Sequence, residues 1–112
     1  MTAFWQVSTT TGNREVATRI ATELVDRKLA ACVQISGPIE SAYRWQGKVE
    51  RAEEWLCTAK TTEGHFAAIE QLVADLHPYD VPELIATPIV GGSEAYLAWL
   101  AGELGDGSKG DS

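Results

Sequence analysis

The segment His77-Pro78-Tyr79-Asp80-Val81-Pro82-Glu83 decides how the second half of the chain folds. Each proline fixes its own φ at about −65° and disfavours the α region for the residue before it. A helix that approaches this segment must therefore end by His77, and Val81 must be extended or turn-like. The segment predicts a helix end, a stiff loop that carries polar side chains, and the start of a strand.

Hydrophobic periodicity predicts the elements that come before this segment. Residues 3–7 form an apolar run that predicts a first strand, and after a Thr/Gly/Asn cluster at residues 9–13 the apolar period changes from that of a strand to that of a helix. Residues 29–35 form a second short apolar run, which predicts a largely buried strand. Between them we expect a first helix, capped by Asn13 or Gly12, because apolar residues recur there at helical spacing. Those residues are Val16, Ala17, Ile20, Ala21, Leu24 and Val25.

Residues 39–60 predict a long β-hairpin that turns at Gln46-Gly47, after a bend at Gly37-Pro38. Apolar and polar residues alternate before the turn, which places Tyr43 and Trp45 on one face. Arms of about 15 residues would extend roughly 50 Å, whereas a domain of this size has a radius of gyration of about 13 Å. The distal half of the hairpin would therefore stand in solvent. We expect Tyr43 and Trp45 to lie at the interface of a homo-oligomer.

After the hairpin, a second helix is expected to begin at Thr61 or Thr62 and to end at the proline segment. Its apolar stripe consists of Phe66, Ile69, Leu72, Val73 and Leu76. Residues 83–87 then predict a short strand that Pro88 closes. Ser93 is a good N-cap for a last helix, in which Tyr96, Leu97 and Leu100 are expected to face inward.

This order of elements predicts an α+β fold. It is the βαββαβ pattern of a ferredoxin-like sandwich, with an extra C-terminal helix and a long central β-hairpin. We expect a single domain over residues 1–104 and a flexible tail over residues 105–112, where no apolar residue occurs.

The composition excludes several classes of partner. The 112 residues carry a formal net charge of −7, which opposes phosphate backbones and anionic membrane surfaces. No apolar stretch reaches the length that a membrane span needs, and residues 1–4 lack the basic region that precedes the apolar run of a signal peptide, so we expect neither feature. Two cysteines are too few for a disulfide framework and suit a reducing compartment. We expect a cytoplasmic protein that binds neither nucleic acid nor membrane.

Five segments of the chain occur in order between residues 28 and 100. They are Lys28-Leu29-Ala30-Ala31-Cys32-Val33, Tyr43-Arg44-Trp45-Gln46-Gly47-Lys48-Val49-Glu50, Lys60-Thr61, the proline segment, and Tyr96-Leu97-Ala98-Trp99-Leu100. Together they resemble the CutA family of divalent-cation tolerance proteins. The resemblance implies a ferredoxin-like homotrimer with a role in tolerance of, or response to, divalent metal ions, chiefly copper. This role would be exercised by metal binding or by signalling.

His77 is the first candidate metal ligand, because imidazole suits copper and a proline fixes the backbone beside it. Asp80 and Glu83 are near in sequence and complete a carboxylate-histidine set for copper or another divalent cation. The resemblance also implies a histidine pair before the Pro-Tyr and a cysteine at the end of the first strand. This chain has Leu76 and Ser8 at those positions.

Other pairings of metal ligands are excluded by distance. His65 lies 12 positions before His77 on the same predicted helix. This separation is about 18 Å. The predicted turn places Cys57 opposite Ser36, and therefore about 13 Å from Cys32. We expect neither a shared metal nor a disulfide from these pairs within one chain.

Two further hypotheses stay open for the polar residues. A metal-independent signalling module would hold a small anion or effector in clefts between subunits through Lys60, Tyr79 and Glu83. A structural role would have His77 end the second helix and Tyr79 pack on the core. No catalytic motif is present, so we expect no enzyme activity and no required cofactor.

Overall fold

The structure, a computed structural model, describes residues 3–105. In chain order it contains β1 (Phe4–Thr11), α1 (Arg14–Asp26), β2 (Cys32–Trp45), β3 (Lys48–Thr62), α2 (Phe66–Leu76), β4 (Ile85–Pro88) and α3 (Glu94–Gly102). A single 3-10 turn, Glu63–His65, joins β3 to α2. The predicted α+β fold is confirmed, with its βαββαβ order, its extra C-terminal helix and its long central hairpin. Of the predicted tail, residues 106–112 lie outside the described part of the chain.

The four strands form one antiparallel sheet in the order β2-β3-β1-β4. β1 is a central strand, and it pairs with β3 from Phe4 to Thr11. The strand therefore extends beyond the apolar run of residues 3–7 into the Thr/Gly/Asn cluster, as far as Thr11. Threonine fits a pleated strand well, and the continuous partner on β3 outweighs the loop preference of the Gly-Asn pair that follows.

The hydrophobic core lies between one face of the sheet and helices α1 and α2. Ile20 and Leu24 from α1 meet Ile69 and Val73 from α2 above Val7 and Ala59 of the sheet. The N-terminus of α1 is capped by Asn13, whose Oδ1 accepts hydrogen bonds from the backbone N–H groups of residues 15 and 16, as the sequence predicts. This packing confirms the expected stripe of α2 and most of that of α1. Val25 is the exception, because it is 43% exposed near the end of α1.

The second face of the sheet is only partly covered. Cys32 lies directly opposite Lys60, so both side chains are on the face that Val33 and Ala59 do not use. Helix α3 reaches this face through Tyr96, whose Oη lies 3.5 Å from Sγ of Cys32. The prediction that Tyr96 faces inward was wrong, because its ring is 41% exposed, whereas Leu100 is fully buried as expected.

The hairpin has two halves separated by an irregularity. The turn at Gln46 and Gly47 has φ values of 51° and 81°, which suits a two-residue type I′ turn and confirms the prediction. The register shifts between Ser36 and Ile39, so Cys57 lies opposite Ile35, one residue from the expected partner. We call residues 32–36 and 56–62 the proximal half, and residues 39–54 the distal half.

Strand β2 begins later than expected and is more exposed. The predicted strand at residues 29–35 starts only at Cys32, because Leu29, Ala30 and Ala31 bury their side chains in the connection from α1. The expectation of a largely buried strand was wrong, since β2 is an edge strand of the sheet. With the hairpin extended, the described residues measure 44 × 28 × 22 Å. Across residues 3–105, no helix is long and apolar enough to cross a membrane.

Candidate functional site

The loop of residues 77–83 is anchored to the core by His77. Helix α2 ends at Leu76, and the backbone N–H of His77 donates to the carbonyl oxygen of Val73 at 2.8 Å. The imidazole is buried, with Nδ1 accepting from the backbone N–H of Tyr79 at 3.1 Å. Nε2 lies 2.7 Å from the carbonyl oxygen of Thr10. Since a backbone N–H can only donate and a carbonyl can only accept, the proton is on Nε2.

This arrangement leaves the His77 imidazole without a free lone pair for a cation. The nitrogen that lacks a proton is occupied by the Tyr79 N–H, and the other nitrogen carries its proton toward β1. The side chain ties the loop to the end of β1. Its position matches one part of the structural hypothesis, because His77 ends α2 and orders the first residues of the loop. The other part was wrong, because Tyr79 is 42% exposed and does not pack on the core.

The rest of the loop forms one wall of a cleft of about 570 Å³. The opposite wall is the face of the distal half that carries Tyr43 and Trp45. The lining residues are Thr10, Ser41, Ala42, Tyr43, Trp45, Glu54, Tyr79, Asp80, Val81 and Glu83. Three of them are acidic and none is basic. The structure thus brings Tyr43, Trp45, Tyr79, Asp80 and Glu83 to one place and leaves His77 outside the lining.

Hydrogen bonds join the two walls of the cleft. The Oη of Tyr79 donates to Oε2 of Glu54 at 3.3 Å. Burial and the nearby Glu54 carboxylate raise the pKa of the Tyr79 phenol, so it remains a donor at neutral pH. A Cβ on Gly12 would lie 3.0 Å from this Oη, so glycine allows the close approach. On the same side, Oγ1 of Thr10 donates to Oε1 of Glu83 at 3.4 Å.

Lys60 does not line the cleft. Its Nζ donates to Oε1 of Gln34 at 2.6 Å, on the second face of the sheet. Lys60 lies six residues beyond Glu54 on β3. That separation is about 20 Å along the strand. Of the predicted ligand set, the structure therefore brings together Tyr79 and Glu83 but not Lys60.

Glu54 and Thr10 are the site residues that the sequence did not single out. A signal for Glu54 was present: a two-residue turn at residues 46 and 47 pairs Ile39 with Glu54, which puts Glu54 on the face of Tyr43 and Trp45. No such signal exists for Thr10, because its place in the cleft depends on the extension of β1.

The sulfur and remaining imidazole groups are engaged elsewhere. Cys57 is a free, buried thiol, and burial raises its pKa to about 11. His65 is buried, with Nδ1 at 2.6 Å from Oγ1 of Thr62 and Nε2 at 3.0 Å from the carbonyl oxygen of Gly105. Within residues 3–105, no three His, Cys, Asp or Glu side chains are placed to hold one metal ion together.

Comparison with known proteins gives a consistent result. A family model described as CutA1 divalent ion tolerance protein matches residues 5–103. The divalent-cation tolerance protein CutA of Thermus thermophilus is 47% identical over 91 residues, which is 81% of this chain and 88% of that protein. The chloroplastic protein CutA of Arabidopsis thaliana is 47% identical over 94 residues, 84% of this chain. The match spans 52% of the Arabidopsis protein's own length.

Solved structures show the same fold. The divalent cation tolerance protein Cut A1 from Thermus thermophilus superimposes with a TM-score of 0.89 at 44% identity, over 91% of this chain and 99% of that one. The CutA1 structure from Oryza sativa gives a TM-score of 0.90 at 42% identity, over 93% of this chain and 95% of that one. At these identities the likeness extends beyond the fold to the family.

Proposed function

The chain belongs to the CutA1 divalent ion tolerance family, and we propose that it contributes to that tolerance by binding divalent cations in the acidic cleft. The observation that carries the proposal is the charge of the cleft. Glu54, Asp80 and Glu83 line it, and no basic residue within the described part of the chain offsets them there. Clefts lined by one sign of charge focus the field and concentrate ions of the opposite sign.

The donor atoms of the cleft suit a hard cation. Asp80 and Glu83 are exposed carboxylates on the loop, and Thr10 and Ser41 add hydroxyl oxygens. Oxygen ligands of this kind suit Mg²⁺ or Mn²⁺. Since one chain does not bring three carboxylate, histidine or cysteine ligands together within residues 3–105, water or a neighbouring chain supplies the remaining ligands.

The residues present do not fit a copper centre. Copper prefers imidazole and sulfur donors, but both nitrogens of His77 are hydrogen-bonded inside the chain. The Cys57 thiol is buried and has a raised pKa, which opposes the thiolate that a metal requires. The Cys32 thiol is partly exposed, but within residues 3–105 it is not part of any group of three metal-ligating side chains. A copper response, which the sequence resemblance implies, would therefore have to act through signalling or through a site completed by another chain.

A calorimetric titration of the metal-stripped chain with Mn²⁺ tests the cleft. The double variant Asp80→Asn with Glu83→Gln is expected to weaken binding at least about tenfold, because the exposed carboxylates are lost. The control is Glu40→Gln with Glu53→Gln on the opposite face of the hairpin, which raises the net charge equally and should bind as the unmodified chain does. Equal binding by all three proteins would contradict the proposal.

A parallel titration with Cu²⁺ examines the copper hypothesis. We expect His77→Ala to bind Cu²⁺ no more weakly than the unmodified chain, since the imidazole faces β1 and not the cleft. A loss of Cu²⁺ binding in this variant would show that His77 is a copper ligand after all.

We further propose that the working form is a homotrimer. Tyr43, Trp45 and Val49 of the distal half are 44%, 53% and 65% exposed. Within the described chain, the outer edge of β2 has no neighbouring strand. Exposed aromatic residues beside a free strand edge favour association with another chain. A closed ring of identical chains would cover all these edges.

Analytical ultracentrifugation tests the trimer. Trp45→Ala should shift the chain toward monomers while the far-ultraviolet circular dichroism stays native. Val25→Ser, at a half-exposed apolar position on α1, is the control and should leave the assembly intact. A monomeric unmodified chain, or a trimer insensitive to Trp45→Ala, would contradict this proposal.

The signalling alternative keeps one supporting observation, which is a cleft of a size that holds a small molecule. Binding of a small anion, which this alternative assumed, is disfavoured because the cleft is acidic and Lys60 lies outside it. The family description refers to ion tolerance and not to a reaction, and we propose no catalytic role. We propose the cytosol as the compartment on the support of the free thiols, although the Arabidopsis relative is named chloroplastic.

A further inference from the structure

Glu54 is a buried carboxylate without a counter-charge. The residue is only 7% exposed, and its side chain faces the cleft. Its one hydrogen bond comes from Oη of Tyr79 to Oε2, and no donor within residues 3–105 reaches Oε1. The ion pairs of the described chain, Arg27 with Glu23 and Arg51 with Glu40, do not involve it. Within residues 3–105 only Oγ1 of Thr9 is both buried and without a hydrogen bond, so Oε1 of Glu54 touches the open space of the cleft. A cation in the cleft could reach this carboxylate oxygen and be stabilised by its charge.

Aromatic rings surround the same cleft. Tyr43 and Trp45 form one wall and Tyr79 belongs to the other. In the isolated chain these three residues are 44%, 53% and 42% exposed. The faces of aromatic rings attract cations, and their apolar surface also binds an organic body. A hydrated metal ion, in contrast, gains little from contact with aromatic rings, because its water shell separates it from them.

The volume of the cleft also suits an organic ligand. About 570 Å³ lies within the range of pockets that take small molecules. Such pockets usually combine apolar walls with a few polar groups that fix the orientation of the ligand. Here the buried polar group is Glu54, and the acidic lining excludes an anion.

We propose that the cleft binds a small organic cation, an ammonium group on an apolar body, with Glu54 as its counter-charge and Tyr43, Trp45 and Tyr79 around it. This inference goes beyond the divalent-cation role. It uses Glu54 as the binding group together with the rings. The metal proposal counts Glu54 only in the charge of the cleft, and its ligands are the exposed carboxylates Asp80 and Glu83. The two can therefore fail separately.

The test compares benzylammonium with its neutral analogue benzyl alcohol, each titrated calorimetrically into the full chain in metal-free buffer at neutral pH. Benzylammonium should bind at least about tenfold more tightly, because only its ammonium group supplies a positive counter-charge for the Glu54 carboxylate. Glu54→Gln should remove this preference and leave benzyl alcohol binding unchanged. Glu53→Gln, on the adjacent residue of the opposite face, is the matched control and should keep the preference.

A second variant covers the case in which Glu54→Gln does not fold. Tyr79→Phe keeps the ring and removes the hydroxyl that occupies Oε2, so the preference for benzylammonium should persist or increase. The proposal would be overturned if the two ligands bound equally, or if Glu53→Gln lost the preference for benzylammonium as fully as Glu54→Gln does. It would also be overturned if neither ligand bound because a neighbouring chain fills the cleft. Mn²⁺ binding without benzylammonium binding would overturn this inference alone.

Discussion

The two halves of the same hairpin differ in how far their apolar side chains are buried within the chain. The proximal half pairs with β1 and covers the core, where Cys57 and Ala59 are 2% exposed. The distal half also carries large apolar residues, but Trp45 and Val49 remain 53% and 65% exposed. The difference shows that the chain uses its proximal residues for its own stability. Its distal residues are left available for another molecule.

The largest expected effect is a difference in the free energy of unfolding between a substitution in the core and one in the distal half. Ile69 is fully buried, so Ile69→Ala should lower the free energy of unfolding by about 3–4 kcal/mol through lost burial and a cavity. Val49→Ala should change it by less than about 0.5 kcal/mol in the dissociated chain. Urea unfolding at equal protein concentrations measures both. Similar costs at the two positions would break the comparison.

The second effect concerns the connection between the core and the cleft. His77→Ala should cost about 2–3 kcal/mol, because it leaves the Thr10 carbonyl and the Tyr79 N–H without partners. Asp80→Ala, in the exposed part of the same loop, should cost less than about 0.5 kcal/mol. Hydrogen exchange should show faster exchange of the Tyr79 amide in the His77 variant only. An unchanged exchange rate would mean that His77 does not order the loop.

A smaller effect is expected at the boundary between the halves. Gly37 has φ of +155°, and an added Cβ would lie 2.7 Å from the Trp55 ring. Gly37→Ala should therefore cost about 1–2 kcal/mol. Chemical shifts should change over residues 39–54 while those of α1 and α2 stay constant. Gly64→Ala is the control, because nothing lies within 4 Å of its added Cβ, and it should be neutral.

The last effect, a pH dependence in the proximal half, is absent at neutral pH and develops only in alkali. Burial raises the pKa of Cys57 from 9.0 to about 11, so the folded state holds this proton more tightly than the unfolded state. The resulting stability is fully present below pH 9.0 and is lost as the pH rises toward about 11. Cys57→Ala should flatten the decrease in unfolding free energy over that window. An equally steep decrease in the variant would show that other groups cause it.

Local signals in the sequence predict the elements well. Pro78 ends α2, the Gln46-Gly47 pair turns the hairpin, and Asn13 and Ser93 cap their helices. Each of these features depends on a few neighbouring residues, so the chemistry of the sequence is sufficient to find it.

The candidate site was predictable only in part. Tyr79, Asp80 and Glu83 were expected and do line the cleft. The hydrogen bonds of His77 were not foreseeable, because its partner Thr10 belongs to the part of β1 that lies beyond the apolar run of residues 3–7. The burial of Glu54 likewise depends on Tyr79, which is 25 residues away. Contacts of this kind are set by the tertiary structure and not by the local sequence.

We propose above all that the cleft between the distal half and the loop is where the chain binds cations. Nuclear magnetic resonance of the unmodified, metal-stripped chain during addition of Mn²⁺ tests this directly, since the paramagnetic ion broadens only the amides near it. Broadening should first affect residues 79–83 together with residues 41–45, while the amides of Lys60 and Gln34 remain sharp. Broadening centred on the acidic residues of α1, or none at all, would contradict the account.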